Sequence, residues 1–274
     1  MLFCADDCTH TKGLAQDIFS FLLQQGADCE RISLHGDPRL CPEEQSPPFC
    51  QDKRFSPKCL VIALGREMLL AKATAMAAVM HFPILRLGTE RDSQLSDLPA
   101  EEWEQLWKLL QGAFEIKSCL MLAAHVKRGN SIAHRIVVAG DLAITGTYPG
   151  QIVHLNTFVA EELLWELHGD GVVISTPTGA GGYSYRAGGC WMDPSMQNYM
   201  VTPICCHSIK MRPVILSHKQ TLKVSQADRS CVPVRIIVDG CYAFHLKQGD
   251  SLIISAWEQK NFCVRLKGSN IFSY

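Results

Sequence analysis

The sequence predicts an α/β domain followed by a β-rich one. Three observations predict it: a strand, helix, strand alternation over residues 59–87; a change after residue 115 to short β-branched runs spaced by glycines and prolines; and Asp239-Gly240 set between two such runs. Alternating strands and helices build parallel sheets because each parallel crossover needs a long connection, whereas closely spaced strands with tight turns build antiparallel ones. The expected division is residues 1–115 and 116–274.

Residues 11–25 place Leu14, Ile18, Phe21 and Leu22 on one helical face, with Gly26 next as the C-cap. A short strand follows at 31–34. From 36 to 57 five prolines sit among polar residues and cysteines, which defeats both helix and sheet ladders and predicts an exposed loop. Cys59-Leu-Val-Ile-Ala-Leu64 is a short apolar run ending at a glycine and reads as a fully buried strand. Residues 67–81, rich in alanine, methionine and leucine, read as the helix after it, and 83–87 as the next buried strand. An amphipathic segment at 100–110 carries Trp103 and Trp107 four apart on one face. Beyond it Ile136-Val-Val138, Val172-Val-Ile174, the run 234–238 and Leu252-Ile-Ile254 read as strands, and Asp239-Gly240 as a hairpin turn.

Composition narrows the function classes. Hydrophobic residues make up 47% and charged residues 19%, with a formal net charge of −1, so the chain offers no electrostatic footprint for a nucleic-acid backbone. No apolar run approaches the roughly 20 residues needed to span a bilayer, and no membrane role is expected. The start lacks a basic stretch followed by an apolar one, and the 13 cysteines are an odd, scattered set; both fit reduced thiols in a cytoplasmic protein. Cys4, Cys8 and His10 have no second ligand pair at zinc-site spacing, so no structural metal is expected.

The stretch from Gly169 to Gly189 is the most informative. A strand runs straight into Ser175-Thr-Pro-Thr-Gly-Ala-Gly-Gly-Tyr183. Glycines let backbone amides approach a ligand closely, and Ser175, Thr176 and Thr178 add hydroxyls, so Gly179, Gly181 and Gly182 beside them suit an oxygen-rich ligand. Tyr183 can lay its ring on a heterocycle, and Asp170 supplies an acceptor for a ribose hydroxyl pair. The plainer reading is a glycine-rich turn between strands with tyrosine as core filler.

This stretch resembles the signature of the NAD kinase family, Asp-Gly-x-x-x-Ser-Thr-Pro-Thr-Gly-Ser-Thr-Ala-Tyr followed by Ala-Gly-Gly. Asp170, Gly171, Ser175, Thr176, Pro177, Thr178, Gly179, Tyr183, Ala187, Gly188 and Gly189 match it as they stand. Thr202-Pro-Ile-Cys205, His207-Ser208, Arg212-Pro213, Val238-Asp-Gly240 and Gly249-Asp250 follow in family order. The resemblance implies a Rossmann-like first domain, a β-sandwich-like second domain and a bound dinucleotide, NAD or a related adenine nucleotide. It also implies ATP as phosphoryl donor with a divalent cation, magnesium, and assembly as a homodimer or homotetramer. By the same resemblance Tyr183 stacks on adenine, Asp170 meets the nicotinamide end, and Thr178 and Gly182 shape the pocket.

The sequence departs from the family in four places. Where Gly-Gly-Asp-Gly is usual it reads Leu64-Gly-Arg-Glu-Met68, so Gly65 remains, Arg66 offers a guanidinium to phosphate, and Glu67 supplies a carboxylate where the catalytic aspartate stands. Glu67 reads equally as a first-turn acid favoured by the helix dipole. His134-Arg135 falls about where an Asn-Glu pair grips the dinucleotide. Ala180-Gly-Gly182 replaces Ser-Thr-Ala, and Arg186 stands near a position that is commonly small. Three functions therefore compete: phosphorylation of the NAD 2′-hydroxyl with Glu67 as base, nucleotide binding without turnover, and a kinase redirected to another nucleoside or nucleotide. Thiol chemistry at Cys205-Cys206-His207 is a weaker fourth, since adjacent residues rarely align a thiolate with its base.

Overall fold

The computed structural model describes residues 1–5, 9–33, 59–90, 93–227 and 232–268. The proline-rich loop expected at 36–57 lies outside them, as does Cys8. Within the described residues the chain forms two compact units. One comprises the residues before 120 together with those from Gln259 onward, and the other is Leu120–Glu258.

The first unit opens with β1 (Leu2–Ala5), α1 (Thr9–Gln24) and β2 (Glu30–Ser33), then β3 (Val61–Gly65), α2 (Glu67–Val79) and β4 (Ile84–Gly88). The short β5 (Leu98–Pro99), α3 (Leu106–Leu110) and β6 (Phe114–Cys119) follow. Its sheet runs β2-β1-β3-β4, all parallel, with β1 inside although it comes first, the order of a Rossmann-like α/β sheet. Phe3, Ile62, Leu64, Leu85 and Leu87 from the strands meet Ile18 and Leu22 from α1, so the expected apolar face of α1 is the one buried. Gly26, at φ 78°, ends that helix in the left-handed region, as a C-cap glycine does.

Two local expectations differ in detail. The helix expected over 67–81 stops at Val79, because His81 turns left-handed (φ 57°) and Phe82 N–H donates back to the Ala77 carbonyl at 2.9 Å. That hydrogen bond satisfies an end carbonyl and closes the helix. The segment 100–110 is not one helix: a 3₁₀ turn over Ala100–Gln105, with Glu102 off helical geometry, precedes α3. The break parts the two tryptophans. Trp103 packs edge-on against Phe21 at 5.4 Å, while Trp107 is left 47% exposed.

In the second unit β7 (Leu122–Arg128), β8 (Ser131–Val138), β10 (Val153–Val159), β11 (Glu162–Gly169), β15 (Leu222–Gln226) and β18 (Ser251–Ala256) form one antiparallel sheet. The other contains β9 (Asp141–Gly146), β12 (Gly171–Ser175), β13 (Asn198–Ile204), β14 (Val214–Ser217), β16 (Val234–Val238) and β17 (Cys241–Leu246). Alternate residues of both sheets, among them Leu122, Val126, Leu155, Val224, Ile144, Val172, Ile174, Val201 and Ile236, share one core. This is a β-sandwich. Asp239 and Gly240 close the β16–β17 hairpin at φ 49° and 75°, the two left-handed positions of a tight hairpin turn.

The last described strand, β19 (Asn261–Leu266), pairs with β4 in parallel and β6 antiparallel, in the sheet of the first unit. The division expected at 115 puts it with the β-rich stretch on local texture. Strand texture does not say which sheet a strand joins.

Candidate functional site

In the second unit β12 is buried along its whole length, flanked by β13 and β9, and delivers the chain into a turn over residues 176–182 before the one-turn helix α4 (Tyr183–Arg186). Thr176 organises that turn. Its N–H donates to the Gly140 carbonyl at 2.9 Å, its hydroxyl donates to the Ala139 carbonyl at 2.9 Å or that of Gly140 at 3.1 Å, and it accepts the Gly179 N–H at 3.1 Å. Gly179 lies so close to Gly140 that an added Cβ would overlap the Gly140 carbonyl oxygen. Thr176 is therefore internal scaffolding, and glycine at 179 is a packing requirement.

Ser175 differs. Its side chain is fully buried, yet among the described residues its Oγ has no hydrogen-bond partner. An unpaired buried hydroxyl costs about 1–3 kcal/mol, so such groups persist where something outside the chain can satisfy them. In the sheet Ser175 stands opposite Asp141 of β9.

Tyr183 is 41% exposed at the start of α4. Burial of the rest pushes its phenol above the ordinary value, with Asp170, Cys205 and Asp141 acting in the same direction and Arg235 against them. These five side chains thus share one electrostatic neighbourhood. Asp170 is exposed, its N–H held by the Ile204 carbonyl at 3.0 Å, and Cys205 is an exposed thiol in the left-handed region at φ 44°. Thr178 and Gly182 are half-buried, Gly181 is buried and Arg186 is exposed. Below them Ser184 and Thr202 join hydroxyls at 2.6 Å, fixing α4 to β13.

In the first unit Gly65 ends β3 and Arg66 is the exposed N-cap residue of α2, without a side-chain capping bond. Glu67 begins the helix. Its carboxylate accepts Ser93 Oγ–H, the Gln94 N–H at 3.0 Å and the Leu95 N–H at 3.1 Å, and its own N–H donates to Glu90 Oε2 at 3.2 Å. Burial raises the Glu67 carboxyl above its ordinary value, while the bonds from Ser93, Leu95 and Gln94 and the charge of Arg86 oppose that rise. Three of about four acceptor positions on the carboxylate are in use. The segment Glu67 holds is pinned again by Arg86, which binds Asp97 bidentately at 2.8 and 2.7 Å in a buried ion pair.

Sequence-expected residues fall into two groups. Asp170, Ser175, Thr178, Gly179, Gly181, Gly182, Tyr183 and Arg186 come together around the turn, and Gly65, Arg66 and Glu67 around the β3–α2 junction. His134 and Arg135 lie on β8, in the other sheet of the sandwich, where the His134 ring stacks on Phe244 at 4.5 Å and Arg135 pairs with His125. Opposite Ser175 in its own sheet stand Asp141 of β9 and Met200 of β13, neither of which the sequence marks. Ser93 is equally unmarked, and Asp239 is marked only as a hairpin residue and as part of Val238-Asp-Gly240. Cys4 is buried in β1, where desolvation pushes its thiol up to about 12, and among the described residues no group of three His, Cys, Asp or Glu side chains is placed to hold a metal ion. No helix among them is long and apolar enough to cross a membrane.

The ATP-NAD kinase C-terminal domain family matches residues 140–266, from Gly140 to the end of β19. An NAD kinase of Desulforamulus reducens is 31% identical over 201 residues, covering 72% of this chain and 68% of the relative. The chain belongs to the NAD kinase family. An NAD kinase of Acetivibrio thermocellus is 29% identical over 214 residues, covering 78% of this chain and 74% of the relative. Among solved structures, yeast NADH kinase complexed with NADH superposes with a TM-score of 0.78 at 20% identity, covering 99% of this chain and 84% of the other. An NAD kinase from Archaeoglobus fulgidus in complex with ATP gives 0.70 at 16% identity, covering 99% and 96%. The likeness to the NAD kinase fold thus extends along both units.

Proposed function

We propose that this protein is an NAD kinase, which transfers the γ-phosphoryl group of ATP to the 2′-hydroxyl of the adenosine ribose of NAD and releases NADP and ADP. The observation that carries this reading is the turn after β12. A fully buried Ser175 hydroxyl with no partner among the described residues, a glycine with no room for a side chain, and a half-exposed tyrosine follow one another into it, in a chain related to NAD kinases over about three-quarters of its length. Such a turn offers hydrogen bonds and a stacking face to a dinucleotide. Tyr183 supplies the stacking face, Ser175 and Thr178 hydroxyl contacts, Gly181 and Gly182 close backbone approach, and Asp170 a ribose-facing carboxylate, while Gly179 packs the turn against Gly140.

Phosphoryl transfer asks mainly for positioning and charge stabilisation. Gly65 and Arg66 would contact the ATP phosphates, and a magnesium ion bound with ATP would add charge neutralisation there. Glu67 is assigned as the general base: the carboxylate keeps one acceptor position, and the burial that raises its proton affinity makes it a better base. The attacked hydroxyl gives its proton to that carboxylate as its oxygen bonds to the γ-phosphorus, and the bond from that phosphorus to the ADP oxygen breaks. Binding without turnover and a redirected acceptor are the less favoured readings, because the relatives matched along most of the chain are NAD kinases. The same reading takes the protein as cytoplasmic and as a homodimer or homotetramer, and light scattering of the pure protein tests the oligomeric state.

The decisive measurement is NADP formation from NAD, ATP and magnesium, beside calorimetric titration of NAD. Turnover with Tyr183→Ala weakened in NAD affinity by about 1–3 kcal/mol, the loss expected of a removed stacking platform, supports the reading. NAD binding without turnover would reject the kinase assignment, and an unchanged affinity in the variant would remove Tyr183 from the pocket.

A further inference from the structure

We propose that Asp239, at the tip of the β16–β17 hairpin, is a positioning residue for the nucleotide turn, setting its geometry through the backbone of residues 139–141. The inference rests on the reading of that turn as the dinucleotide subsite.

The carboxylate of Asp239 accepts three consecutive backbone N–H groups: Ala139 at 3.1 Å on Oδ2, and Gly140 at 2.7 Å and Asp141 at 3.0 Å on Oδ1. Asp239 N–H donates in return to the Asp141 carbonyl at 2.9 Å. Successive amides converging on one anion form a nest, normally a place for a bound phosphate or carboxylate; here a side chain of the protein fills it. With the three N–H groups committed to Asp239, the carbonyls of Ala139 and Gly140 are left to receive Thr176, and Thr176 in turn holds Gly179. Gly179 rests on Gly140 with no space for a methyl group between them. A rotation of the 139–141 peptides therefore moves the whole 176–182 turn, and also moves Asp141, the cross-strand neighbour of Ser175.

The hairpin itself does not need the carboxylate. At φ 49°, beside Gly240 at 75°, asparagine or glycine serves the turn as well as aspartate does. What uses the charge is the row of amides in β9 and the link before it. This separates a role in the hairpin from a role in the nucleotide turn and supplies the variants that test it. Asp239→Gly removes the carboxylate without straining the left-handed position. Asp239→Asn keeps one acceptor oxygen but turns an N–H toward one of the amides.

The experiment measures hydrogen exchange of the Thr176 and Gly179 amides, NAD affinity by calorimetry, and KM and kcat for NAD and ATP, in the full chain. In Asp239→Gly the two amides should exchange faster while those of β16 and β17 keep their protection. The Kd and KM for NAD should rise by about tenfold or more, the size expected when a charged hydrogen-bond set is lost, with kcat and the KM for ATP within about threefold. Asp239→Asn should fall between this variant and the parent. Unchanged exchange at Thr176 and Gly179 with NAD affinity within about twofold of the parent overturns the proposal, as does a fall in thermal stability with no change in NAD KM. Should Asp239→Gly fail to fold, Asp239→Asn decides by the same readouts. A parent protein that binds no NAD would sink the pocket reading instead, and the exchange data alone would then decide the positioning.

Discussion

The β3–α2 junction and the turn after β12 both end a buried strand in a glycine-bearing loop, yet they treat their polar side chains in opposite ways. At the end of β12, Thr176 is spent on the backbone of 139–140 while the Ser175 hydroxyl has no partner among the described residues. After β3, the polar side chain is drawn inward: Glu67 gives three acceptor positions to residues 93–95. The difference follows packing. Gly179 is pressed against another backbone, where no side chain fits, so substitution there is barred. Arg66 is exposed and Met68 half-buried, so the junction has room for larger residues, and Glu67 takes its partners from a neighbouring loop.

The sharpest way to break this contrast is Glu67→Gln, which keeps an acceptor for the 93–95 amides but cannot take a proton. As general base, Glu67 accounts for a kcat loss on the order of 100-fold or more, with NAD and ATP affinities nearly unchanged. Steady-state kinetics showing full kcat in a destabilised variant would reduce Glu67 to a clamp. Next in size is Gly179→Ala, where the methyl must displace Gly140; overpacking of this kind costs about 1–3 kcal/mol, read by urea unfolding, and NAD binding should fall with it. An alanine variant as stable as the parent would mean that the close approach is soft.

A smaller effect separates the two hydroxyls. Ser175→Ala removes an orphaned group and should leave the unliganded protein equal or more stable by up to about 1 kcal/mol while weakening NAD, because replacing an unsatisfied buried polar group costs little. Thr176→Ala should destabilise it. Equal thermal shifts in the two variants would erase the distinction drawn between them. The smallest effect concerns pH. Because burial raises the Glu67 pKa in the folded state, that state holds its proton to higher pH than the unfolded chain does. The contribution is therefore fully present below the ordinary glutamate value and is lost as pH rises through the folded value, at no more than about 1.4 kcal/mol per pH unit. Stability curves of parent and Glu67→Gln should diverge across that window and run parallel above it.

Much of this was legible in the order of residues. The apolar face of α1, the buried runs of β3 and β4, the β12 strand and the Asp239-Gly240 hairpin follow from neighbours two to four residues apart, a range at which a one-dimensional pattern speaks directly. The glycines and hydroxyls of the string from Ser175 to Tyr183 are likewise plain in contiguous residues. The boundary between the tryptophans was not legible, because the 3₁₀ geometry at Glu102 breaks a period that the sequence satisfies.

The sequence by itself therefore determined the two textures of the chain, the family signature and the loop that carries it, since each is written in contiguous residues. Tertiary structure alone decided that β19 returns to the first sheet, that Asp141 stands opposite Ser175, that Asp239 fills a nest of amides about 100 residues upstream, and that Glu67 is tied to Ser93. The physical reason is common to all four. A cross-strand or loop-to-loop hydrogen bond needs only the right donor and acceptor at the right place in space, and neither residue carries a local mark of the other.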